Sequence, residues 1–99
     1  MADRRGILIN PSDDVVVAVE TCQAGDHLVL AGGRRVRTRQ DVTFGFKVAL
    51  RRLEPGQPVR KYGETIGLAS APIEQGDVVH IHNLGGARGR GDLAAREAR

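Results

Sequence analysis

The sequence predicts a small all-β domain. Its thirteen glycines and four prolines are spread along 99 residues instead of being gathered in one linker, and such spacing is typical of turns between short strands. The densest apolar stretch, residues 15–19, is rich in valine, whose branched side chain favours a buried strand over a helix. Because only Phe44, Phe46 and Tyr62 are aromatic, we expect a single thin, aliphatic core.

The expected strands follow one another between turn signals. They cover residues 7–9, 15–19, 27–30, 59–62, 65–69 and 78–83, with a further apolar segment at 48–50. Asn10 and Pro11 end the first strand, and residues 63–64 join two later strands into a hairpin. The basic segment 34–39 alternates enough to be an exposed strand, but a loop fits it equally well.

One domain is expected over residues 7–84, with a flexible N-terminus over residues 1–6 and a flexible tail, rich in glycine and arginine, over residues 85–99. Within the domain a turn unit recurs, with an apolar-type residue three positions before a glycine and an aliphatic residue three positions after it. The units are Cys22-Gly25-Leu28, Leu53-Gly56-Val59 and Ile73-Gly76-Val79. This repetition predicts a folded-over assembly of hairpins.

Composition argues against several classes of function. The formal net charge is +3, but basic and acidic residues are interleaved and no set of aromatics offers a stacking platform, so we expect no nucleic-acid partner. The excess charge favours an anionic substrate or an acidic protein surface. The longest apolar run is far shorter than the about 20 residues that span a bilayer. The lone Cys22 and the lack of an export leader predict a cytoplasmic protein.

Four segments, in order, resemble one known family. They are residues 10–19 (NPSDDVVVAV), 44–50 (FGFKVAL), 61–67 (KYGETIG) and 79–84 (VHIHNL). Together they are similar to the SAF domain at the N-terminus of the altronate and galactarate dehydratases. The same domain occurs as the separate small subunit of sulfolactate sulfo-lyase. The resemblance covers about residues 7–84 and implies a β-clip fold.

The resemblance also implies an activity: the small subunit of a sugar-acid dehydratase. In this family a much larger domain or subunit supplies most of the catalytic apparatus, including a divalent metal such as iron where one is used. We therefore expect this chain to act with a separate large subunit in eliminating water, or sulfite, from a polyhydroxy carboxylate, and to be inactive alone. Self-association into a homo-oligomer is compatible with this. The alternative is a non-catalytic binding or docking module.

Six residues are candidates for the site. His80 and His82 stand two apart in an expected strand, so both imidazoles should project from one face, for proton transfer or substrate contact. Metal ligation and simple contact with a partner remain alternatives. Lys47, two residues after Gly45, could neutralise a substrate carboxylate, or be an ordinary surface lysine. The other predicted substrate contacts are Asn10, Asp14 and Asn83, although an aspartate before a strand often caps a turn.

Two positions depart from the family. It commonly has histidine where Asn10 and Phe46 stand in this chain. Imidazole is the side chain best suited to proton transfer near neutral pH. If those histidines carry acid–base work in the relatives, this chain has lost that work or moved it, and the docking alternative gains support.

Overall fold

The structure, a computed structural model, describes residues 2–85 and confirms the predicted all-β, SAF-type fold. Nine short strands and one 3-10 turn, Ala31–Gly33, make up this part of the chain. The strands are β1 Asp3–Ile7, β2 Val15–Ala18, β3 His27–Val29, β4 Arg35–Arg37, β5 Lys47–Ala49, β6 Pro58–Lys61, β7 Glu64–Ala69, β8 Val78–Val79 and β9 Leu84–Gly85.

The strands form two sheets. The larger sheet is curled and has the order β4-β3-β1-β2-β5-β8, and the smaller has the order β6-β7-β9. β1 runs parallel to β3, while the other pairs in the described part of the chain are antiparallel. β2 lies between β1 and β5, which explains why its valines are buried almost throughout. Within the basic segment, Arg35–Arg37 form an edge strand, β4, in which only Val36 is buried.

Apolar side chains form two cores, one on each face of the larger sheet. The first core contains Val16, Ala18, Cys22, Leu28, Leu30, Val36, Val42, Val48, Leu50 and Val78. The second core, shared with the smaller sheet, contains Val15, Ala49, Leu53, Val59, Ala69, Ile73 and Val79. Because neighbouring residues of a strand point to opposite faces, β2, β5 and β8 contribute to both. The prediction of a single core is therefore wrong in number, although both cores are aliphatic.

The N-terminus forms a strand where a flexible segment was predicted. β1 begins at Asp3 and pairs with β3, and the Ala2 N–H donates to Asp26 Oδ1 at 2.9 Å. The Arg4 guanidinium pairs with the other oxygen of the same carboxylate. This strand could not be predicted from the sequence because its side chains are exposed or half-buried and show no apolar pattern. Its pairing depends on backbone groups, which every residue carries.

The turn unit predicted three times occurs a fourth time, at residues 42–48 with Gly45 at its centre. The first residues of the units pair with one another in isolated bridges, Cys22 with Val42 and Leu53 with Ile73. The central glycines all have positive φ: Gly25, Gly45, Gly56 and Gly76. The repeat therefore folds the chain back at four similar corners. Burial raises the pKa of the Cys22 thiol, as expected for the small apolar residue predicted there.

Three of these turns are closed by a side chain that the fourth lacks. The residue after the glycine, Asp26, Gln57 or Asp77, accepts the backbone N–H three positions earlier, at 2.9, 2.6 and 2.8 Å respectively. The fourth turn has Phe46 there, which has no acceptor. Its backbone still closes the turn, because the Phe46 N–H donates to the carbonyl oxygen of Thr43 at 3.0 Å. The Phe46 ring is thus available for another contact.

β8 ends at Val79, so the strand predicted over residues 78–83 is wrong beyond its first two residues. Residues 80–83 form a turn that leads into β9, which pairs with β7. The predicted tail starts inside β9, at Gly85, and its remainder, residues 86–99, lies outside the described residues. Within residues 2–85 no helix is long and apolar enough to cross a membrane.

Candidate functional site

The two predicted imidazoles lie on a turn that is closed by a buried amide. Asn83 is only 6% exposed. Its Oδ1 accepts the N–H of His80 at 2.9 Å, and its Nδ2 donates to the carbonyl oxygen of Val78 at 2.9 Å. These bonds replace a strand ladder, so His80 and His82 project from a turn and not from one face of a strand. The Asn83 amide, predicted to contact substrate, is engaged by the backbone.

His80 and His82 still line one groove, which we call the imidazole groove. It is open, has a volume of about 390 Å³, and is lined by Gln40, Asp41, Thr43, Phe46, Val78, His80 and His82. Both histidine residues are exposed. The groove therefore combines apolar surface with several side chains that can bind the oxygens of a small polar molecule.

The Phe46 ring stacks on His80. Their ring centroids are 4.8 Å apart and their planes differ by 26°. Stacking of this kind restrains an aromatic side chain. His80 is consequently the oriented imidazole of the groove, whereas His82 is the accessible one, because within residues 2–85 no aromatic ring stacks on it.

Asp13, which the sequence analysis did not single out, joins the turn at Asn10 to the β6–β7 hairpin. Its carboxylate accepts the backbone N–H groups of Asn10, Tyr62 and Gly63 at 3.2, 3.0 and 2.8 Å. Tyr62 has φ 59°, in the left-handed region that a bulky residue rarely adopts. Two of the three bonds are made at the tip of this strained hairpin turn, so Asp13 sets its position.

Asp14 and Asn10 are also engaged by other groups of this chain. Asp14 is 2% exposed; its Oδ2 accepts the N–H of Arg60 at 2.8 Å, and its Oδ1 pairs with the Arg51 guanidinium. Asn10 Oδ1 accepts both the N–H and the hydroxyl of Ser12, at 2.9 and 2.8 Å. Asp14 therefore ties the start of β2 to β6 and to Arg51, and these contacts are not those of a cap on its own turn.

Lys47 lies on the opposite face of the larger sheet from the imidazole groove. It is paired with Val79, which belongs to the second core, while Phe46 and Val78 lie on the side of the first core. Paired residues point to the same face and neighbours to opposite faces. Within a single copy of this chain, Lys47 therefore does not share a face with the two imidazoles.

The comparison with protein-family models decides the family. The model described as the altronate/galactarate dehydratase SAF domain matches residues 4–87, nearly the whole of the part that folds into the two sheets. The chain belongs to this SAF-domain family. The resemblance carried by the four sequence segments is thus confirmed.

Relatives of this SAF domain include both whole enzymes and a subunit. It is 35% identical over 77 residues to altronate dehydratase of Bacillus subtilis, and 42% identical over 77 residues to that of Escherichia coli. Each match covers 78% of this chain but only 15% of the relative. It is also 33% identical over 84 residues to (2R)-sulfolactate sulfo-lyase subunit alpha of Chromohalobacter salexigens, covering 89% of that subunit.

Lys61 is a half-buried lysine that the sequence analysis did not single out in this SAF domain. Burial lowers the pKa of the Lys47 ammonium, and the positive charge of Lys61 lowers it further. A signal was present in the sequence, because Lys47 and Lys61 are its two lysines and Lys61 opens one of the family-like segments. What the sequence lacked was the packing of the two sheets, in which β6 contacts β2, the neighbour of β5.

The imidazole groove of this SAF domain does not by itself fit a divalent metal. Within residues 2–85 no three His, Cys, Asp or Glu side chains are grouped to hold an ion. A catalytic zinc site has at least three protein ligands. The one carboxylate that lines the groove, Asp41, already accepts the N–H of Ala24 at 3.0 Å. We therefore derive no chemical step through a metal on this chain.

A larger hollow of about 540 Å³ lies elsewhere on the SAF domain. It is lined by Ala24, Gly25, Arg37, Thr38, Arg39 and Gln75. None of the predicted site residues borders it, and the Arg39 guanidinium is paired with Asp77. Its size alone therefore gives no reason to prefer this hollow over the imidazole groove as the candidate functional site.

Replacing Asp13 with alanine is expected to lower the free energy of unfolding by about 3 kcal/mol. The Asp13 carboxylate is nearly buried, and its removal leaves three backbone N–H groups without their acceptor. Urea unfolding followed by circular dichroism measures the loss. Asp3→Ala is the matched control, since Asp3 is exposed and its contact is a surface ion pair with Arg35. Equal losses in the two variants would contradict the role given to Asp13.

Proposed function

We propose that this SAF domain is the small part of a lyase that removes water from a polyhydroxy carboxylate, working with a separate large catalytic subunit. The observation that supports this most is the imidazole groove, in which His80 and His82 stand beside polar side chains. The chain that carries this groove belongs to the altronate/galactarate dehydratase SAF-domain family. An open groove suits a wall that is completed by another polypeptide, since a small-molecule site is usually more enclosed.

The reaction needs two proton transfers. A base removes the proton on the carbon next to the carboxylate, and the hydroxyl on the following carbon leaves with its bonding electrons and takes up a proton to become water. The resulting enol rearranges to a keto acid. Histidine suits either transfer because its ordinary pKa lies near neutrality. We assign proton transfer to His82, the accessible imidazole, and contact with the substrate to His80, which the Phe46 ring orients.

Sequence relatives support the partner. A relative of nearly the same extent is named subunit alpha of a sulfo-lyase, so a domain of this size serves there as one chain of a larger enzyme. By analogy, the large subunit here supplies the remaining acid or base. A divalent metal, where used, would be held mainly by that subunit and would polarise the carboxylate or the leaving hydroxyl. Sulfite as the leaving group is the close variant of the same proposal.

A non-catalytic docking module is the second candidate. Phe46 favours it, because the ring occupies the position beside His80 where the family commonly has a third imidazole. In that case the groove would bind a partner or an acid without moving protons.

The two candidates are separated by activity, not by capture alone. The tagged chain is isolated under native conditions from cells that encode it, and the recovered material is incubated separately with altronate, galactarate and sulfolactate. If the chain is part of a lyase, a large chain should co-purify with it, and one of the three acids should yield a keto acid or sulfite. The SAF domain purified alone should convert none of them. Recovery of a complex that eliminates nothing would favour the docking module.

A further inference from the structure

β4 is an edge of the larger sheet, and within residues 2–85 it pairs with β3 alone. The carbonyl oxygen of Arg34 and the N–H of Thr38 are bonded to the backbone on the β3 side, each at 2.8 Å. Backbone groups of an antiparallel strand point to alternate sides. Arg35 and Arg37, which lie between these two positions, therefore direct their backbone groups away from β3. We call this outer side of β4 the open edge.

The open edge ends at the turn around Gly76. The Arg37 carbonyl oxygen packs against Gly76, where an added Cβ would meet it, and the Arg39 N–H donates to the Gly76 carbonyl oxygen at 3.0 Å. In the described part of the chain three backbone groups remain for another segment, namely both groups of Arg35 and the N–H of Arg37. An added β-strand uses groups of this kind. The hollow of about 540 Å³ lined by Arg37 and Arg39 leaves room for such a segment to continue.

The open edge is positively charged along its length. Four exposed arginines lie in and around β4: Arg34, Arg35, Arg37 and Arg39. Two of them are paired with carboxylates, Arg35 with Asp3 and Arg39 with Asp77. The other two form no ion pair within residues 2–85. Because Arg35 and Arg37 stand two apart in a strand, their side chains lie on the same face. A strand paired with the open edge would place every second side chain beside them.

Charge decides which kind of segment fits the open edge. Charged side chains on an edge strand prevent it from pairing with another copy of itself, since two copies would bring their arginines together. Residues 86–99 of this chain contain four arginines and two acidic residues, so they match the edge poorly as well. An acidic strand reverses the effect, because opposite charges directly across a strand pair stabilise it. The occupant that the charges favour is therefore an acidic segment of another protein.

We propose that the open edge of β4 binds an extended acidic segment of a partner protein, which joins the larger sheet as a further strand. The backbone of the segment bonds the outward groups of Arg35 and Arg37, and its alternate carboxylates lie beside the two guanidinium groups. Neither arginine lines the imidazole groove, so the proposal goes beyond lyase function and does not depend on it. The need for alternating charge and for backbone bonds distinguishes this site from a generally basic surface.

Synthetic peptides test both requirements on the full chain. The probe is a short, end-capped, fluorescein-labelled peptide in which glutamate alternates with threonine, and its binding is followed by fluorescence anisotropy at physiological ionic strength. A peptide of the same composition, with its glutamates grouped at one end, should bind more weakly. Two further peptides carry N-methyl groups on alternate backbone nitrogens, one on the glutamates and one on the threonines. Because only one side of an added strand faces β4, one of these two should fail to bind and the other should bind like the probe.

Matched variants locate the site on β4. Arg37→Gln should weaken binding of the alternating peptide about fivefold, as expected for the loss of one partly screened ion pair. Arg60→Gln is the control and should leave binding unchanged, because Arg60 is also an exposed strand arginine without an ion pair in residues 2–85.

Four results would overturn the proposal: no binding of the alternating peptide, equal binding of the grouped peptide, equal behaviour of the two methylated peptides, or equal effects of the two substitutions. Tighter binding of a single-stranded oligonucleotide of the same charge would overturn it as well. Since all of these measurements use the chain alone, an assembled complex without lyase activity would contradict the proposed function and leave the open edge unaffected.

Discussion

Replacing Gly76 with alanine is expected to lower the free energy of unfolding by about 4 kcal/mol, enough to unfold much of a domain of this size. Gly76 has φ 93°, which alone costs about 1–2 kcal/mol in an L-residue. A Cβ there would also overlap the carbonyl oxygen of Arg37 and crowd the Arg39 side chain. Backbone cannot swing aside as a side chain can, and forced overpacking costs about 1–3 kcal/mol more.

Gly56→Ala is the internal control, since Gly56 occupies the same place in another copy of the turn unit. Its φ is 88°, but no atom lies within 4 Å of the added Cβ. The control should therefore lose only the conformational part, about 1–2 kcal/mol. Chemical unfolding of both variants gives the difference directly. Similar losses would mean that the close approach of β4 to this turn contributes nothing to stability.

The contrast between these turns shows what the sequence could and could not reveal. Glycine spacing was enough to find three of four corners, and the fourth has the same spacing around Gly45. The spacing carries no information on which glycine has another segment packed where a side chain would stand. At Gly76 that segment is the end of β4, whose Arg37 carbonyl oxygen would meet an added Cβ, and the Arg39 N–H just beyond it donates to the Gly76 carbonyl oxygen at 3.0 Å.

The alternation of apolar and polar side chains led to a wrong strand prediction where the chain forms a turn. Residues 78–83 read as a strand because apolar and polar residues alternate over most of their length. One buried amide, Asn83, instead bonds the backbone at His80 and Val78 and ends β8. Asparagine offers the backbone this local alternative to a ladder, and alternation does not reveal which one wins. His80 and His82 nevertheless border one groove, as predicted from their spacing, because both lie on the same short turn.

The division of the predicted site into two faces could not be predicted without strand register. Phe46 and Lys47 are adjacent in sequence, and their family-like segment suggested a single functional unit. In a strand, adjacent residues point to opposite faces, so Phe46 borders the imidazole groove while Lys47 points to the other face of the sheet. The same segment lies between β2 and β8 in the sheet, which brings each of its faces next to different neighbours.

Replacing His82 with alanine is expected to lower kcat of the assembled lyase about 100-fold, the usual effect of losing a general acid or base. The complex should remain intact, because His82 lies exposed at a turn whose closing bonds are made by Asn83. Steady-state rates of keto-acid formation, measured on gel-filtered complex, provide the test.

His27→Ala is the control for the loss of an imidazole elsewhere in the same chain. His27 lies on β3, is half-buried, and does not border the imidazole groove, so its variant should keep its rate within about twofold. His80→Ala should raise KM more than it lowers kcat, since we assign His80 to substrate contact through a ring that Phe46 orients. Unchanged turnover in His82→Ala would remove His82 from the chemical step. Combined with an unchanged KM in His80→Ala, it would leave the groove as a docking surface.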